Sequence, residues 1–279
     1  MGVHVAATLP DALAALAERP DAHVLAGGTD FMVEVNFGHR RPDHVVAVGG
    51  VAELRGWRRD GDTVVLGAGL TYTEMLAPDF AALLPAMAQA ARTVGSPQIR
   101  NAGTIGGNLG TCSPAGDGLP VLSALDATIE VASAAGRRTL SVHDFMVGVK
   151  RTALQPGEIV VATRVPVLQG YQGFAKVGVR NAMVISAVST CLAVDGAGRN
   201  VRVALGAVGP TIVRARAAEA WVAAELPWAG GPVDPDLAVE FGRRAAAETA
   251  PIDDHRSTAD YRRHAVAVLA TRLLRRAFP

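Results

Sequence analysis

The chain has 279 residues, of which 49% are hydrophobic and 5% aromatic, and its formal net charge is +1 at pH 7; it can fill one large or two ordinary domains, and its charge gives no reason to expect nucleic acid or a membrane surface as a partner. It has no uninterrupted apolar run of about 18 residues and no basic, then apolar, leader at its start, so we expect neither a transmembrane helix nor a signal peptide. Its two cysteines, Cys112 and Cys191, lie outside any CxxC pair, which excludes a cysteine framework for zinc or iron–sulfur and favours a reducing, cytoplasmic location.

The first half of the sequence predicts alternating helices and strands that lead to glycine-rich segments. A helix begins near Thr8, with Pro10 in its first turn. A strand over 23–25 runs directly into the sequence AGGTD at 26–30. Further strands and one further helix are predicted at 44–48, 63–66 and 81–93, in that order. Residues 95–118 are rich in Gly, Pro, Ser, Thr and Asn and show little periodicity, which predicts a long functional loop.

The second half predicts a smaller domain of strands followed by helices. A strand covers 158–166, and the composition changes near Gln169-Gly170, so we divide the chain into domains 1–169 and 170–279. Two strands, 184–194 and 201–208, are joined by a short polar turn and predict a β-hairpin. The last helix carries apolar residues at the spacing of one helix face, namely Val266, Leu269, Ala270, Leu273 and Leu274.

Two glycine-rich segments are the strongest candidates for a ligand site. The first is AGGTD at 26–30, and the second is GTIGGN at 103–108. Consecutive glycines allow backbone N–H groups to converge on an anion such as a pyrophosphate, and the hydroxyls of Thr29 and Thr104 can add hydrogen bonds. Neither segment matches a P-loop or a dinucleotide-binding GxGxxG motif. Tight turns are the competing interpretation of glycine pairs, because most of them lie in surface turns.

Seen together, these segments resemble the FAD-binding medium subunits of the xanthine dehydrogenase and carbon monoxide dehydrogenase (molybdenum hydroxylase) family. The resemblance covers nearly the whole chain, with the segments in the family's order. They are AGGTD, QIRNAGTIGGN, SPAGD, LPVLSALDA, EIVVATRVP, GFAKVGVR and PIDDHRSTADYRRHAV. Such a match in order is far more specific than any single glycine pair.

The resemblance implies an α+β fold and a set of cofactor-binding residues. The fold is a two-subdomain FAD-binding domain of the vanillyl-alcohol-oxidase (PCMH) type, followed by a C-terminal domain with an antiparallel sheet and helices. The positions that match the family's FAD-binding residues are Val24, Leu25, Ala26, Gly27, Gly28, Thr29, Asp30, Phe31, Val94, Thr104, Ile105, Gly106, Gly107, Asn108, Asp117, Val160 and Lys176. Lys176 in particular is expected to place a positive charge that stabilises the reduced, anionic flavin.

The resemblance also implies partners. FAD is the cofactor of this chain, whereas molybdopterin and 2Fe–2S clusters are expected in a large and a small partner subunit. Electrons would pass from the iron–sulfur clusters to FAD and then to NAD or another acceptor, so no catalytic acid, base or nucleophile is assigned here. SPAGD and KVGVRNAMVIS are closer to the xanthine dehydrogenase branch, which favours a purine or another N-heterocycle as the substrate of the complex. The alternatives are a carbon monoxide dehydrogenase-type medium subunit, a stand-alone flavin oxidase or reductase, and a non-enzymatic nucleotide-binding protein.

Several of these residues have a second, purely structural interpretation. Asp30 could cap a helix, Asp117 could be a turn residue beside two glycines, and Lys176 could be a solvated lysine at a strand end. Cys112 is expected to be a buried packing residue rather than a redox group. The seven histidines are scattered without metal-binding spacing, so we expect no metal site.

Overall fold

The computed structural model describes residues 2–279 and divides them into two compact units. Unit 1 consists of the residues up to Met75, Ser96–Cys112 and Ala127–Pro166. Unit 2 consists of Leu76–Gly95, Ser113–Asp126 and Val167–Pro279. Both units therefore combine segments that are distant in the sequence.

Unit 1 begins with a three-stranded parallel sheet whose connections are helical. Its elements are β1 (Gly2–Val5), α1 (Leu9–Glu18), β2 (His23–Leu25), α2 (Phe31–Asn36) and β3 (His44–Ala47). The strand order is β1-β3-β2, and Val46 pairs with both His4 and Val24. α1 begins next to Thr8, as the sequence predicts, and the Thr8 side chain caps it by accepting a hydrogen bond from the N–H of Asp11.

The second sheet of unit 1 has five antiparallel strands in the order β4-β5-β10-β6-β7. The strands of this region are β4 (Trp57–Asp60), β5 (Thr63–Gly67), β6 (Thr128–Ser133), β7 (Gly136–Ser141), β8 (Met146–Gly148), β9 (Arg151–Thr152) and β10 (Ile159–Pro166). A short helix, α8 (Val142–Phe145), precedes a separate hairpin of β8 and β9. β10 is the central strand and is almost entirely buried, which agrees with its run of Val, Ile and Ala.

The predicted long loop at 95–118 is largely helical, so that prediction is wrong. It contains α5 (Pro97–Ala102) and α6 (Ile105–Thr111), and α7 (Gly118–Ala124) begins at its end. Ser96 caps α5 and Thr104 caps α6, each accepting a hydrogen bond from an N–H three residues later. These caps satisfy N–H groups that the short helices leave without partners.

The single helix predicted at 81–93 is two helices, α3 (Pro78–Leu83) and α4 (Pro85–Thr93). Pro85 begins α4, and Leu84 before it has φ −128° and ψ 65°. Proline disfavours a helical conformation in the residue that precedes it. The first helix therefore ends where the second begins.

Unit 2 contains a four-stranded antiparallel sheet and three longer helices. They are β11 (Gly170–Val177), β12 (Val188–Asp195), β13 (Asn200–Gly206), β14 (Val213–Arg214), α9 (Arg216–Glu225), α10 (Pro235–Ala247) and α11 (Ala259–Ala277). β12 and β13 form the predicted hairpin, but β12 begins at Val188 rather than Val184. α11 packs on α10 and buries all five residues of its predicted apolar stripe. The sheet-plus-helices prediction is thus confirmed.

Candidate functional site

The first glycine segment connects β2 to α2 and leaves a run of backbone N–H groups without protein partners. Gly28 has φ +73°, a backbone conformation that residues other than glycine rarely adopt. Within residues 2–279, no acceptor is found for the N–H groups of Gly27, Gly28, Thr29 or Asp30. Free N–H groups around a positive-φ glycine are able to bind an anion, and the nest at this segment stays a prediction.

Gly27 brings the two glycine segments into contact inside unit 1. A Cβ atom at Gly27 would lie 1.7 Å from the carbonyl oxygen of Ala102. No side chain fits there, because the obstacle is backbone. The structure therefore places 26–30 directly against the chain that leads into Thr104.

The second glycine segment is not a nest, and that part of the prediction is wrong. Residues from Ile105 onward form α6, and the N–H groups at its start already have acceptors within the protein. Ile105 donates to the Leu70 carbonyl at 3.0 Å, and Gly106 donates to the Ala68 carbonyl at 2.8 Å. A Cβ at Gly106 would lie 2.6 Å from Ala68 Cβ, so this glycine serves close packing.

Two groups of the second segment remain available to a ligand. The space beside Gly107 is open except for Thr104 Oγ1, which lies 3.1 Å from where a Cβ would be. Asn108 Oδ1 is buried and has no hydrogen-bond partner within the described chain. A buried polar atom without a partner costs free energy unless a ligand or water satisfies it. The free N–H groups, the open face of Gly107 and Asn108 Oδ1 fit a dinucleotide such as FAD, with its anionic diphosphate and its hydroxyl donors.

The structure also places the remaining predicted residues of unit 1. Asp30 stands at the N-cap position of α2, but its side chain makes no capping hydrogen bond. Phe31 is half-buried, and the guanidinium of Arg40 lies 5.5 Å from its ring centroid. Val160 is buried in β10, where it pairs with Val131 beside an irregularity in the strand register.

The predicted residues Asp117 and Lys176 form a buried ion pair in unit 2. Lys176 Nζ lies 2.6 Å from Asp117 Oδ2 and also donates to the carbonyl oxygens of Thr93 at 3.0 Å and Val184 at 3.1 Å. Ser186 Oγ donates to Asp117 Oδ1 at 2.5 Å. Lys176 is therefore not a solvated lysine at a strand end, and all three of its N–H donors have acceptors.

Sequence reasoning missed Thr93 and Ser186 in this cluster. Ser186 is 69 residues from Asp117; it ends the segment KVGVRNAMVIS, but the sequence did not assign it to the site. Thr93 directly precedes the predicted residue Val94, and its hydroxyl lies 3.3 Å from Asp117 Oδ2. Its position next to Val94 was the only sequence feature that pointed to Thr93 as part of the site.

Both cysteines are free thiols in buried surroundings. Burial raises the pKa of the Cys112 thiol above its ordinary value, so the nucleophilic thiolate is disfavoured. Cys112 ends α6 in a left-handed conformation with φ 47°. Cys112 is thus buried, as the sequence analysis expects.

Residues 2–279 contain neither a metal-binding cluster of side chains nor a membrane-spanning helix. No group of three or more His, Cys, Asp or Glu side chains in that part of the chain is arranged to hold a metal ion. None of its helices is long and apolar enough to cross a membrane.

Comparison with known families gives two matches that together span most of the chain. Residues 1–168 match the FAD binding domain in molybdopterin dehydrogenase, and residues 174–277 match the CO dehydrogenase flavoprotein C-terminal domain.

Individual relatives agree with these family matches. The chain is 33% identical to the glyceraldehyde dehydrogenase medium chain of Sulfolobus acidocaldarius, over 95% of this chain and 93% of that one. It is 30% identical to the xanthine dehydrogenase FAD-binding subunit of Escherichia coli O157:H7, over 97% and 94%. The crystal structure of quinoline 2-oxidoreductase from Pseudomonas putida 86 superimposes with a TM-score of 0.90 at 26% identity, covering 99% of this chain and 96% of that chain.

Proposed function

Since the chain belongs to the family of FAD-binding subunits of molybdopterin dehydrogenases, and is thus an oxidoreductase subunit with FAD as its cofactor, we propose that it carries electrons between partner subunits and a soluble acceptor. The donor is an iron–sulfur cluster of a small subunit, which is reduced by a molybdopterin-containing large subunit. The acceptor is NAD or another oxidant. FAD supplies the redox chemistry, and this chain supplies its position and access. Names such as "medium chain" and "subunit" among the relatives support an assembly of several chains.

The contact between Gly27 and Ala102 is the observation that carries this proposal. It joins a run of free N–H groups to a second segment with an open face at Gly107 and an unpartnered Asn108 Oδ1. We propose that the diphosphate of FAD binds to this pair of segments. The full set of proposed cofactor residues is Val24 to Phe31, Val94, Thr104 to Asn108, Asp117, Val160 and Lys176.

The ion pair changes the role proposed for Lys176. Asp117 offsets its positive charge, so we propose that the pair positions the cofactor rather than stabilising a negative charge on it. A direct hydrogen bond from Lys176 to FAD would require one of its three present acceptors to be exchanged. Both carboxylate oxygens of Asp117 also already accept hydrogen bonds, one from Lys176 and one from Ser186.

We propose an N-heterocycle, such as a purine, as the substrate of the complex. The names of two relatives, a xanthine dehydrogenase and a quinoline oxidoreductase, support this class, as do the segments SPAGD and KVGVRNAMVIS. The second candidate is carbon monoxide, favoured by the family match of the C-terminal domain. We also propose a cytoplasmic location, because Cys112 and Cys191 are free thiols.

The test is to purify the chain alone and together with the co-expressed iron–sulfur and molybdenum chains of its own complex. Xanthine, quinoline and carbon monoxide are then supplied to each preparation under anaerobic conditions, and the flavin absorbance is followed. We expect an N-heterocycle to bleach the flavin only in the complete assembly, and NAD to restore the absorbance. Bleaching of the isolated FAD-loaded chain would instead identify a stand-alone flavin oxidase or reductase. Bleaching by carbon monoxide alone would establish the second candidate.

A further inference from the structure

We propose that Arg262, paired with Asp254, is a positioning residue for the Asp117–Lys176 pair and thereby for FAD binding. Both Arg262 and Asp254 belong to the segment PIDDHRSTADYRRHAV near the end of the chain. The inference rests on the proposed function, because that function places the Asp117–Lys176 pair among the cofactor residues. It adds a residue that acts on FAD only through this pair.

Arg262 is a buried cation at an unfavourable place in the fold. It lies in the first turn of α11, and only 3% of its side chain is exposed. The first turn of a helix carries a partial positive charge, which disfavours a cation there. Burial of a charge is also costly unless the charge is paired and hydrogen-bonded. Specific acceptors, rather than helix preference, therefore explain why an arginine occupies this position.

The guanidinium of Arg262 connects three segments of unit 2. Its Nη2 donates to Asp254 Oδ1 at 2.6 Å, and this carboxylate supplies the balancing charge. Its Nη1 donates to the carbonyl oxygen of Ala187 at 2.7 Å and to that of Ala207 at 2.8 Å. A planar guanidinium offers its N–H donors in fixed directions. Arg262 therefore fixes the positions of these two carbonyl groups relative to each other.

The first carbonyl group leads to one side of the ion pair. Ala187 follows Ser186, whose Oγ donates to Asp117 Oδ1 at 2.5 Å. The N–H of Ala187 donates to the carbonyl oxygen of Val177 at 2.8 Å, and Val177 follows Lys176. Ala187 is thus bonded through both of its backbone groups, next to one residue that contacts the pair and opposite the strand end that carries the lysine.

The second carbonyl group leads to the segment that carries Asp117. The N–H of Ala207 donates to the carbonyl oxygen of Pro114 at 2.7 Å, three residues before Asp117. Ala207 has φ +62°, a conformation that a residue with a side chain keeps only where surrounding contacts hold it. Its bonds to Pro114 and Arg262 are such contacts. One guanidinium therefore holds the segments of both Asp117 and Ser186.

The ion pair depends on this framework because its hydrogen bonds tolerate little displacement. Lys176 Nζ donates to the carbonyl oxygen of Val184 at 3.1 Å, and Val184 lies two residues before Ser186 in the segment that Arg262 holds. Hydrogen bonds weaken steeply as their angle departs from linearity. Without Arg262, the carboxylate and the ammonium group would no longer present one fixed arrangement to the cofactor.

Arg214 provides a matched control, because it is also a buried arginine of unit 2. Its side chain is 5% exposed. It donates to Glu219, to Asp126 and to one carbonyl oxygen of α7, and none of these acceptors belongs to the segments that Arg262 holds. Arg262→Met and Arg214→Met each remove a buried guanidinium, but only Arg262→Met removes the bonds that lead to the ion pair.

The first measurement is the NMR signal of the Lys176 ammonium group in flavin-free protein. A buried ammonium group with three acceptors exchanges its protons slowly with water, so this signal reports on the pair directly. We expect Arg262→Met to shift or remove the signal and Arg214→Met to leave it unchanged. Asp254→Asn, which removes only the charge that faces Arg262, should have a smaller effect of the same kind and keeps the test available if Arg262→Met does not fold.

The second measurement is the dissociation constant for FAD of the same folded variants. We expect Arg262→Met to weaken binding about tenfold or more, as the loss of a group that orients a ligand-binding residue does at metal sites. Arg214→Met should bind FAD like the wild type. Because Arg262 acts through the pair, Arg262→Met/Lys176→Met should bind FAD no more weakly than Lys176→Met alone.

The outcomes separate this inference from the proposed function. An unchanged Lys176 signal in folded Arg262→Met, or an equal change in Arg214→Met, would overturn the positioning role and leave the proposed function intact. Additive effects of Arg262→Met and Lys176→Met on FAD affinity would overturn it as well. A changed signal with wild-type FAD affinity would remove the pair from the cofactor site. A folded wild-type chain that takes up no FAD would overturn the proposed function itself.

Discussion

Four glycines that the sequence assigns to one task have different environments in the structure. Gly27 allows two backbone segments to touch, and Gly28 supplies the positive φ of the first segment. Gly106 packs against Ala68, whereas a Cβ at Gly107 would meet only Thr104 Oγ1 within 4 Å. The sequence predicts which glycines belong to the site. It cannot predict what each one does, because Ala68 and Ala102 approach them only through the folded chain.

The Asp117–Lys176 pair is the residue-scale feature with the largest expected effect on stability. Lys176→Met removes the cation and leaves a buried carboxylate with hydrogen bonds only from hydroxyl groups. We expect a loss of about 3–5 kcal/mol in the free energy of unfolding, measured by urea denaturation. The double variant Asp117→Asn/Lys176→Met should recover a large part of that loss.

Lys150→Met is the matched control for this prediction. Its ion pair with Glu34 has the same length of 2.6 Å, but the Lys150 side chain is 55% exposed. We expect a loss of at most about 1 kcal/mol, because solvent screens an exposed pair. Similar losses for the two lysine variants would show that burial of the Asp117–Lys176 pair is not what makes it important.

At the scale of elements, sequence reasoning succeeded where periodic patterns are long and failed where helices are short. The stripe on α11 and the β12–β13 hairpin repeat a pattern over many residues. α5 and α6 have only six and seven residues, too few for a periodic pattern to stand out from glycine-rich composition. The sequence features that marked the starts of these two helices were their capping residues, Ser96 before Pro97 and Thr104 before Ile105. Pro85 was the sequence feature that indicated the break within the helix predicted at 81–93.

A salt bridge that ties β7 to the turn before β10 predicts a pH dependence of stability. Arg138 donates from Nε and Nη2 to the two carboxylate oxygens of Glu158, each at 2.7 Å. These hydrogen bonds hold the pKa of Glu158 below its ordinary value of 4.5. A lowered folded-state pKa means that the stabilisation is complete above about pH 4.5 and is lost as the pH falls through the folded-state pKa.

We therefore compare the wild type with Glu158→Gln by thermal unfolding from pH 7 to pH 3. The variant should be less stable by about 2 kcal/mol at pH 7, and the difference should shrink below pH 4.5. Glu18→Gln, at an exposed position of α1, should stay within about 0.5 kcal/mol of the wild type throughout. A difference for Glu158→Gln that does not change with pH would refute the assignment.

At the scale of the whole molecule, each unit has its own sheets or sheet and its own buried residues, and the proposed roles divide between the two units. Unit 1 carries both glycine segments, and unit 2 carries the Asp117–Lys176 pair. The order of motifs along the sequence was sufficient to predict the family, the cofactor and the fold. It could not predict the ion pair between Lys150 and Glu34, because these residues are 116 positions apart in the sequence.

The central claim is that one FAD binds to the two contacting segments of unit 1. The most direct measurement is a titration of FAD into flavin-free protein, comparing the wild type with Gly107→Val and Gly110→Val. Both glycines lie in α6, but a Cβ at Gly110 meets nothing within 4 Å, and a branched side chain at Gly107 fills the space proposed for the diphosphate. We predict one FAD per chain for the wild type and Gly110→Val, and none retained by a folded Gly107→Val. Normal binding by Gly107→Val, or a folded wild-type chain that takes up no FAD, would contradict the claim.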